Sequence, residues 1–340
     1  MKEKSEKMSV FIIAEAGANH NRDWNMATQL IREAVSSGAD AVKFQTYTSE
    51  TLYSKYTPDF ANYTDIPKLI KGLELPREWQ KDLKLYCDDN GIEFMSTPCD
   101  EKAVEELHSL GVQRLKIAGF ESTDPRWVKV VASTGLPLVI TIGIGSTVQS
   151  TKDILRWVQE ENPAADVTFL HGNNAYPTPL SDINLGQMTL LSEAFPEQKV
   201  GISDHTEGIL VPPLAVAMGA AAVEKHYTLD RTLPGPDHPF AIEPAELTQM
   251  VANIRAAEKC LGTKSGIYSP SEVAFQRARR AVIAVSAIAK GETFTPQNLT
   301  TKRPYLENSI PASGYYEILG KRATCDIRED EIILASQVAE

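Results

Sequence analysis

Apolar and polar positions between residues 10 and 260 follow two alternating rhythms. Short, nearly continuous apolar runs occur at 10–16, 41–47, 93–98, 114–119, 138–143, 167–173, 199–204 and 222–227. Runs of this kind read as strands buried on both faces. Between them lie amphipathic segments with roughly helical spacing, at 25–36, 101–110, 124–133, 151–161 and 244–261. Gly111, Gly135 and Gly262 stand where three of these helices should stop. Eight strands, each followed by a helix, over about 250 residues predict a (β/α)8 TIM barrel. A doubly wound open sheet would need a glycine-rich phosphate turn after a strand, and Gly143-Ile144-Gly145-Ser146 is only a partial match. The stretch 48–76 carries Tyr53, Tyr56, Phe60 and Tyr63 among polar residues and reads as a loop excursion near the barrel mouth.

The rhythm changes after residue 262. Residues 262–270 are a Gly/Ser/Lys/Pro linker, and 271–280 is a basic, helix-like piece whose Arg277, Arg279 and Arg280 suit a solvated or domain-contacting face. From Ala281 the chain turns to short β runs, and 288–295 is echoed by 327–334. The expected layout is a barrel over 9–262, a linker over 263–280 and a small, mostly-β domain over 281–340. A module of this size buries only about 60% of its unfolded surface. It is therefore expected to dock on a barrel, its own or a partner's.

Composition narrows the partners. Of 340 residues, 34 are Lys or Arg and 45 are Asp or Glu, a net charge of −11. That sign disfavours nucleic acid and anionic lipid. The apolar, uncharged run 208–223 contains Pro212-Pro213 and is too short to cross a bilayer. The first seven residues carry both signs of charge, so no secretory signal is expected. Cys87, Cys99, Cys260 and Cys325 show no metal-type spacing, which suits reduced thiols in the cytoplasm.

In a barrel the chemistry sits at the C-terminal strand ends, and residues two apart on a strand share a face. These ends present Glu15; Lys43 and Gln45; Ser96 and Thr97; Lys116; Thr141; Asn173, Asn174 and Tyr176; Ser203 and His205; Glu224 and His226. Lys43 and Lys116 lie inside apolar runs, where an ammonium group must meet an anion. Two of them at one mouth point to an anionic substrate, the alternative being local pairing with Glu15, Glu121 or Glu224. His205 and His226 end neighbouring strands and suit one divalent cation with positions open for substrate and water. Asp204 and His238 are weaker candidates, and His20 is expected to orient its loop or contact substrate. Stiff turns at 176–179 and 234–237 present Tyr176 and Asp237, which with Asn174 suit sugar hydroxyls.

These residues resemble the sialic acid synthase family. The matching strings are AEAGANHN at 14–21, VKFQT at 42–46, STP at 96–98, YPTP at 176–179, GISDHT at 201–206, EKHYT at 224–228 and GPD at 235–237. The tail is similar to the antifreeze-like (SAF) domain, marked by Lys302-Arg303-Pro304 and Gly320-Lys321. The resemblance implies an aldol-like condensation of phosphoenolpyruvate with the open-chain aldehyde of an unphosphorylated N-acetylated hexose. The products would be a nine-carbon 2-keto acid and phosphate. It implies that His205 and His226 hold Mn2+, or Mg2+ or Co2+ in its place. Lys43, Thr97 and Lys116 would face the phosphoenolpyruvate carboxylate, and Thr141, Asn174 and Ser203 its phosphate. Gln45, Tyr176 and Asp237 would hold the sugar, and Glu15 would handle protons. Arg303 would reach the N-acyl group from a partner's tail in a domain-swapped homodimer.

One string departs from the family members that use N-acetylmannosamine. Residues 116–121 read KIAGFE, with Gly119 where those members carry a phosphate-binding serine, followed by the bulky Phe120. This is nearer to pseudaminic acid synthases, while GPDH at 235–238 is similar to legionaminic acid synthases. The sugar is thus N-acetylmannosamine or a diacetamido-trideoxyhexose. A related enzyme using a phosphorylated sugar would need an arginine clamp that the strand ends lack. A non-catalytic glycan- or ice-binding protein would not need the strand-end set at all.

Overall fold

The computed structural model describes residues 9–61, 63–262 and 269–339. The charged first residues and the first six positions of the expected linker, 263–268, lie outside the described residues. The chain divides into two compact units at Gly262/Thr263.

The first unit carries eight strands: β1 (Phe11–Gly17), β2 (Ala41–Thr46), β3 (Glu93–Pro98), β4 (Leu115–Ile117), β5 (Leu138–Ile142), β6 (Val167–Gly172), β7 (Lys199–Asp204) and β8 (Ala222–His226). Their order is β3-β2-β1-β8-β7-β6-β5-β4, with every hydrogen-bonded pair parallel. β3 and β4 also lie side by side, so the sheet curls nearly shut as a TIM barrel. Among the described residues ten α-helices accompany it: α1 (Trp24–Ser37), α2 (Ser49–Leu52), α3 (Ile66–Leu73), α4 (Gln80–Asp89), α5 (Glu101–Ser109), α6 (Pro125–Ala132), α7 (Val148–Glu161), α8 (Gly186–Ala194), α9 (Val211–Ala217) and α10 (Pro244–Leu261).

Local chemistry sets the helix ends. Asp23, Asp100 and Asp124 begin α1, α5 and α6 by accepting backbone N–H groups of the first turn, which would otherwise lack partners. Gly38 closes α1 at φ 78°, a conformation that costs a side chain about 1 kcal/mol or more.

Two expectations change. The 48–76 stretch is not only loop: it holds α2 and α3, and Ile66 and Leu73 are buried beneath it. Pro67 stands in the first turn of α3, and Pro212-Pro213 opens α9, where a missing N–H costs nothing. The basic piece at 271–280 is a 3-10 turn over Pro270–Ala278, exposed along nearly all its length, rather than an α-helix.

Inside the barrel, Ile13, Ala41, Met95, Val139, Leu170 and Ala222 form an apolar plug. Two residues further along the same strands stand Glu15, Lys43, Thr97, Thr141 and Glu224, all buried. The period of two carries them onto the same inner face, one level nearer the mouth.

The second unit pairs β9 (Ala281–Ala284) with β10 (Leu299–Lys302), antiparallel, over a core including Val282, Phe294, Ile327 and Ile333. The sequence echo is structural. Ile288 and Ile327 exchange backbone hydrogen bonds of 2.9 and 2.8 Å. The Glu292 carboxylate accepts the Ala289 N–H at 2.9 Å, and Glu331 accepts the Arg328 N–H at 2.9 Å. Asn298 accepts Thr295 N–H and Gln337 accepts Leu334 N–H, both at 2.8 Å. Even the left-handed positions match, with Gly291 at φ 83° and Asp330 at φ 62°.

The two left-handed positions should therefore respond differently to substitution. Gly291→Ala should cost the tail about 1 kcal/mol, roughly a fivefold loss of amide protection at Phe294 and Ile333 in hydrogen exchange. Asp330→Gly should leave that protection within about twofold, since glycine relieves the strain its carboxylate tolerates. Equal protection in wild type and Gly291→Ala would contradict this account of the repeat.

Candidate active site

Above the apolar plug the barrel holds a compact charge network. Lys43 Nζ lies 2.9 Å from Glu15 Oε2 and 3.6 Å from Glu224 Oε2, and donates to Thr97 Oγ1 at 3.0 Å. Lys116 Nζ lies 3.5 Å from Glu224 Oε1, which also accepts the Ser203 hydroxyl at 2.8 Å. Gln45 Nε2 donates to Glu15 Oε1 at 2.9 Å. The local-pairing alternative for the lysines is thus realised for Glu15 and Glu224. Glu121 forms no ion pair among the described residues.

Burial and pairing pull these groups apart in acidity. Burial pushes the Glu15 carboxyl up to about 7, with Lys43 opposing and Glu224 adding to the shift. Burial would also raise Glu224, but Lys116, Lys43 and the Ser203 hydroxyl outweigh it and draw it below the usual carboxylate range. Burial lowers Lys116. It would lower Lys43 too, but Glu15 and Glu224 more than compensate, and the net shift is upward. One carboxyl is thus poised near neutrality while its neighbour stays ionised.

The two histidines meet beside this network, their ring centroids 5.4 Å apart. His205 Nδ1 lies 2.6 Å from the Asn173 carbonyl, which can only accept, so that nitrogen carries the proton and Nε2 keeps its lone pair. His226 Nδ1 is buried without a hydrogen-bond partner, and the Asp237 carboxylate stands 3.7 Å away. Burial lowers His205 to about 4 and His226 well below its ordinary value, which keeps both imidazoles neutral. Neutral rings with unengaged nitrogens fit a divalent cation. No group of three or more His, Cys, Asp or Glu side chains converges as a metal site among the described residues. The protein's share of such a site would be the two imidazoles.

The other expected residues gather nearby. The Tyr176 ring packs at a tilt against the His205 ring, centroids 4.3 Å apart, and against Phe240 at 5.5 Å. Burial raises Asp237 to about 6. Thr141 Oγ1 and Asn174 Oδ1 are buried with no partner, an arrangement that costs stability unless a ligand completes it. Gly119, the unusual position, lies under Asn174: a Cβ there would fall 2.9 Å from Asn174 Oδ1, and one on Gly143 would fall 2.0 Å from the same atom. The amide occupies the space that both side chains vacate. Phe120 is more than half exposed. Arg303 belongs to the second unit, where its Nε donates to the Ala278 carbonyl at 2.5 Å.

Of the weaker candidates, His20 accepts the Arg22 N–H at 3.0 Å and so fixes its own loop. His238 Nδ1 meets the Thr228 hydroxyl at 2.6 Å, and Asp204 pairs with Lys225 at 2.8 Å. Sequence reasoning placed Glu224 with His226 at one strand end and as a possible lysine partner, but gave it no role of its own, although it is the centre of the network. Phe240, packed 5.2 Å from His226, had no comparable signal.

Residues 30–266 match the NeuB family, and 279–339 match the SAF domain. An N,N'-diacetyllegionaminic acid synthase of Campylobacter jejuni is 38% identical, over 95% of this chain and 98% of that protein. A pseudaminic acid synthase of the same species is 34% identical, over 94% of this chain and 93% of that protein. The crystal structure of an N-acetylneuraminic acid synthetase from Leptospira borgpetersenii, in complex with citrate, superposes with a TM-score of 0.71 at 34% identity, covering 78% of this chain and 89% of that one.

Two outcomes test this geometry. Gly143→Ala should destabilise the protein by about 1–3 kcal/mol in urea unfolding, and Asn174→Ala in the same background should restore most of that loss; additive effects would mean the two do not collide. For Glu15, the folded carboxyl titrates near 7 and the unfolded one near 4.5, so the stability it contributes is present at low pH and is lost as pH rises through 7. In metal-free protein, wild type should accordingly lose stability relative to Glu15→Gln between pH 5 and 8. A gain over that range would reverse the assignment.

Proposed function

Because the chain belongs to the NeuB family, we infer that it condenses phosphoenolpyruvate with the open-chain aldehyde of an unphosphorylated N-acetylated hexose. The bond formed joins C3, the methylene carbon of phosphoenolpyruvate, to the aldehyde carbon, whose oxygen takes up a proton and becomes a hydroxyl. Water adds at C2 and gives up its protons, and the bond between C2 and the phosphate oxygen breaks as inorganic phosphate leaves. The products are a nine-carbon 2-keto acid and phosphate.

The observation that supports this reading is the convergence of two buried ammonium groups, two neutral imidazoles and partnerless buried polar atoms at one barrel mouth. Lys43, Lys116 and Thr97 offer preorganised donors to a carboxylate. Thr141, Asn174 and Ser203 line the space for its phosphate. Glu15, titrating near 7, is placed in acidity to take a proton from the attacking water and return it. Gln45, Tyr176 and Asp237 face the sugar. His205 and His226 would hold a divalent cation, Mn2+ or alternatively Mg2+ or Co2+, which when bound polarises the aldehyde oxygen. The acceptor is N-acetylmannosamine or a diacetamido-trideoxyhexose, and Gly119 together with the legionaminic and pseudaminic acid synthase relatives favours the second.

The purified protein should release phosphate from phosphoenolpyruvate only with a divalent cation and one of these sugars, and mass spectrometry should show the condensed acid. His205→Ala and His226→Ala should each lower the rate by about 100-fold or more. Full turnover after exhaustive chelation, or none with either sugar, would overturn the reading.

A further inference from the structure

The strands that deliver the two histidines are tied together on the sheet face opposite the charge network. Asp204 and Lys225 are register partners across β7 and β8, and each immediately precedes a histidine. Their side chains are both buried and lie 2.8 Å apart. Successive strand residues point to opposite faces, so this pair lies behind the network of Ser203 and Glu224 and touches none of the reacting space.

The pair brackets His205 from both sides. Asp204 Oδ1 accepts the Thr206 N–H at 2.9 Å and the Thr206 hydroxyl at 2.8 Å. Lys225 Nζ also donates to the Thr206 carbonyl. His205 therefore sits between two residues held by one ion pair, and its own carbonyl accepts the Thr178 N–H at 2.9 Å. Its backbone dihedrals cannot change without breaking several buried hydrogen bonds. On β8, the same ammonium fixes the residue next to His226. A buried ion pair contributes little net stability compared with apolar packing, so a role in placement accounts for it better than a role in stability.

We propose that Asp204, Lys225 and Thr206 are positioning residues that hold His205 and His226 at the separation needed to share one divalent cation. This rests on the cation reading above, and the test separates the two. Thr206→Val removes one hydroxyl at nearly constant volume. Asp204→Asn combined with Lys225→Met removes both charges together, so no lone charge is left buried. Thr206→Ser is the conservative control.

Mn2+ affinity of the full chain, measured by electron paramagnetic resonance titration, should fall several-fold in Thr206→Val and about 10–100-fold in the double variant, and stay at the wild-type value in Thr206→Ser. In metal-free, histidine-labelled protein, the His205 Nδ1 proton should be slowly exchanging in wild type and lost or fast in the two weakened variants. Mn2+ affinities within twofold of wild type, in variants with native circular dichroism, would overturn the proposal. If wild type binds no Mn2+ while the proton signal still distinguishes the variants, the positioning role stands and the cation reading fails. If neither readout differs, the positioning role falls, and the cation reading falls with it only where wild type binds no Mn2+.

Discussion

Charge inside this barrel has to balance. Two ammonium groups, Lys43 and Lys116, stand with two carboxylates, Glu15 and Glu224, in an interior from which water is nearly excluded. Any one of the four left alone would cost several kcal/mol. Set together they form a network in which each group's acidity depends on the others. The apolar plug beneath it and the ring of helices outside matter here because they keep the surroundings poorly solvating, and so keep the coupling strong.

That balance is not symmetrical. Glu224 touches both lysines and a serine hydroxyl and remains ionised, whereas Glu15 changes its protonation state near neutral pH. Beside them, burial keeps two imidazoles uncharged. The site thus combines groups that have been relieved of charge with groups that have been fixed in it. Partnerless atoms on Thr141, Asn174 and His226 mark where the protein has left hydrogen bonds unmade. In a folded interior such atoms are uncommon, and although Arg77 and Trp127 carry others elsewhere, the presence of these three at barrel strand ends is an argument for a polar ligand.

Most of the barrel was legible because buried parallel strands write themselves as apolar runs. β3 and β7 have the ends expected from sequence, and the others differ by a residue or two at their termini. The helices α4, α8 and α9 were harder to read, since α8 and α9 bury only a few residues each and α9 opens on two prolines. The strand-end residues were legible from the period of two. Less visible was what happens one residue away. Asp204 looked like a spare ligand because it adjoins His205, yet a single step along a strand turns a side chain to the opposite face. Its partner Lys225, next to His226, carried no mark of the pairing. Cross-strand register, which no local pattern encodes, decides that they meet.

Asn174 adds a constraint of a different kind. Its amide fills a hollow shared by Gly119 and Gly143 on two other strand ends, so the three positions are a single steric unit. Sequence drift at such a unit has a direction. A methyl or hydroxymethyl group can enter at 119 only after position 174 has shrunk or swung aside, and the reverse step closes once the hollow is filled. Homologues that differ at these sites should therefore differ in concert, and the order in which the changes arose is imprinted in the geometry.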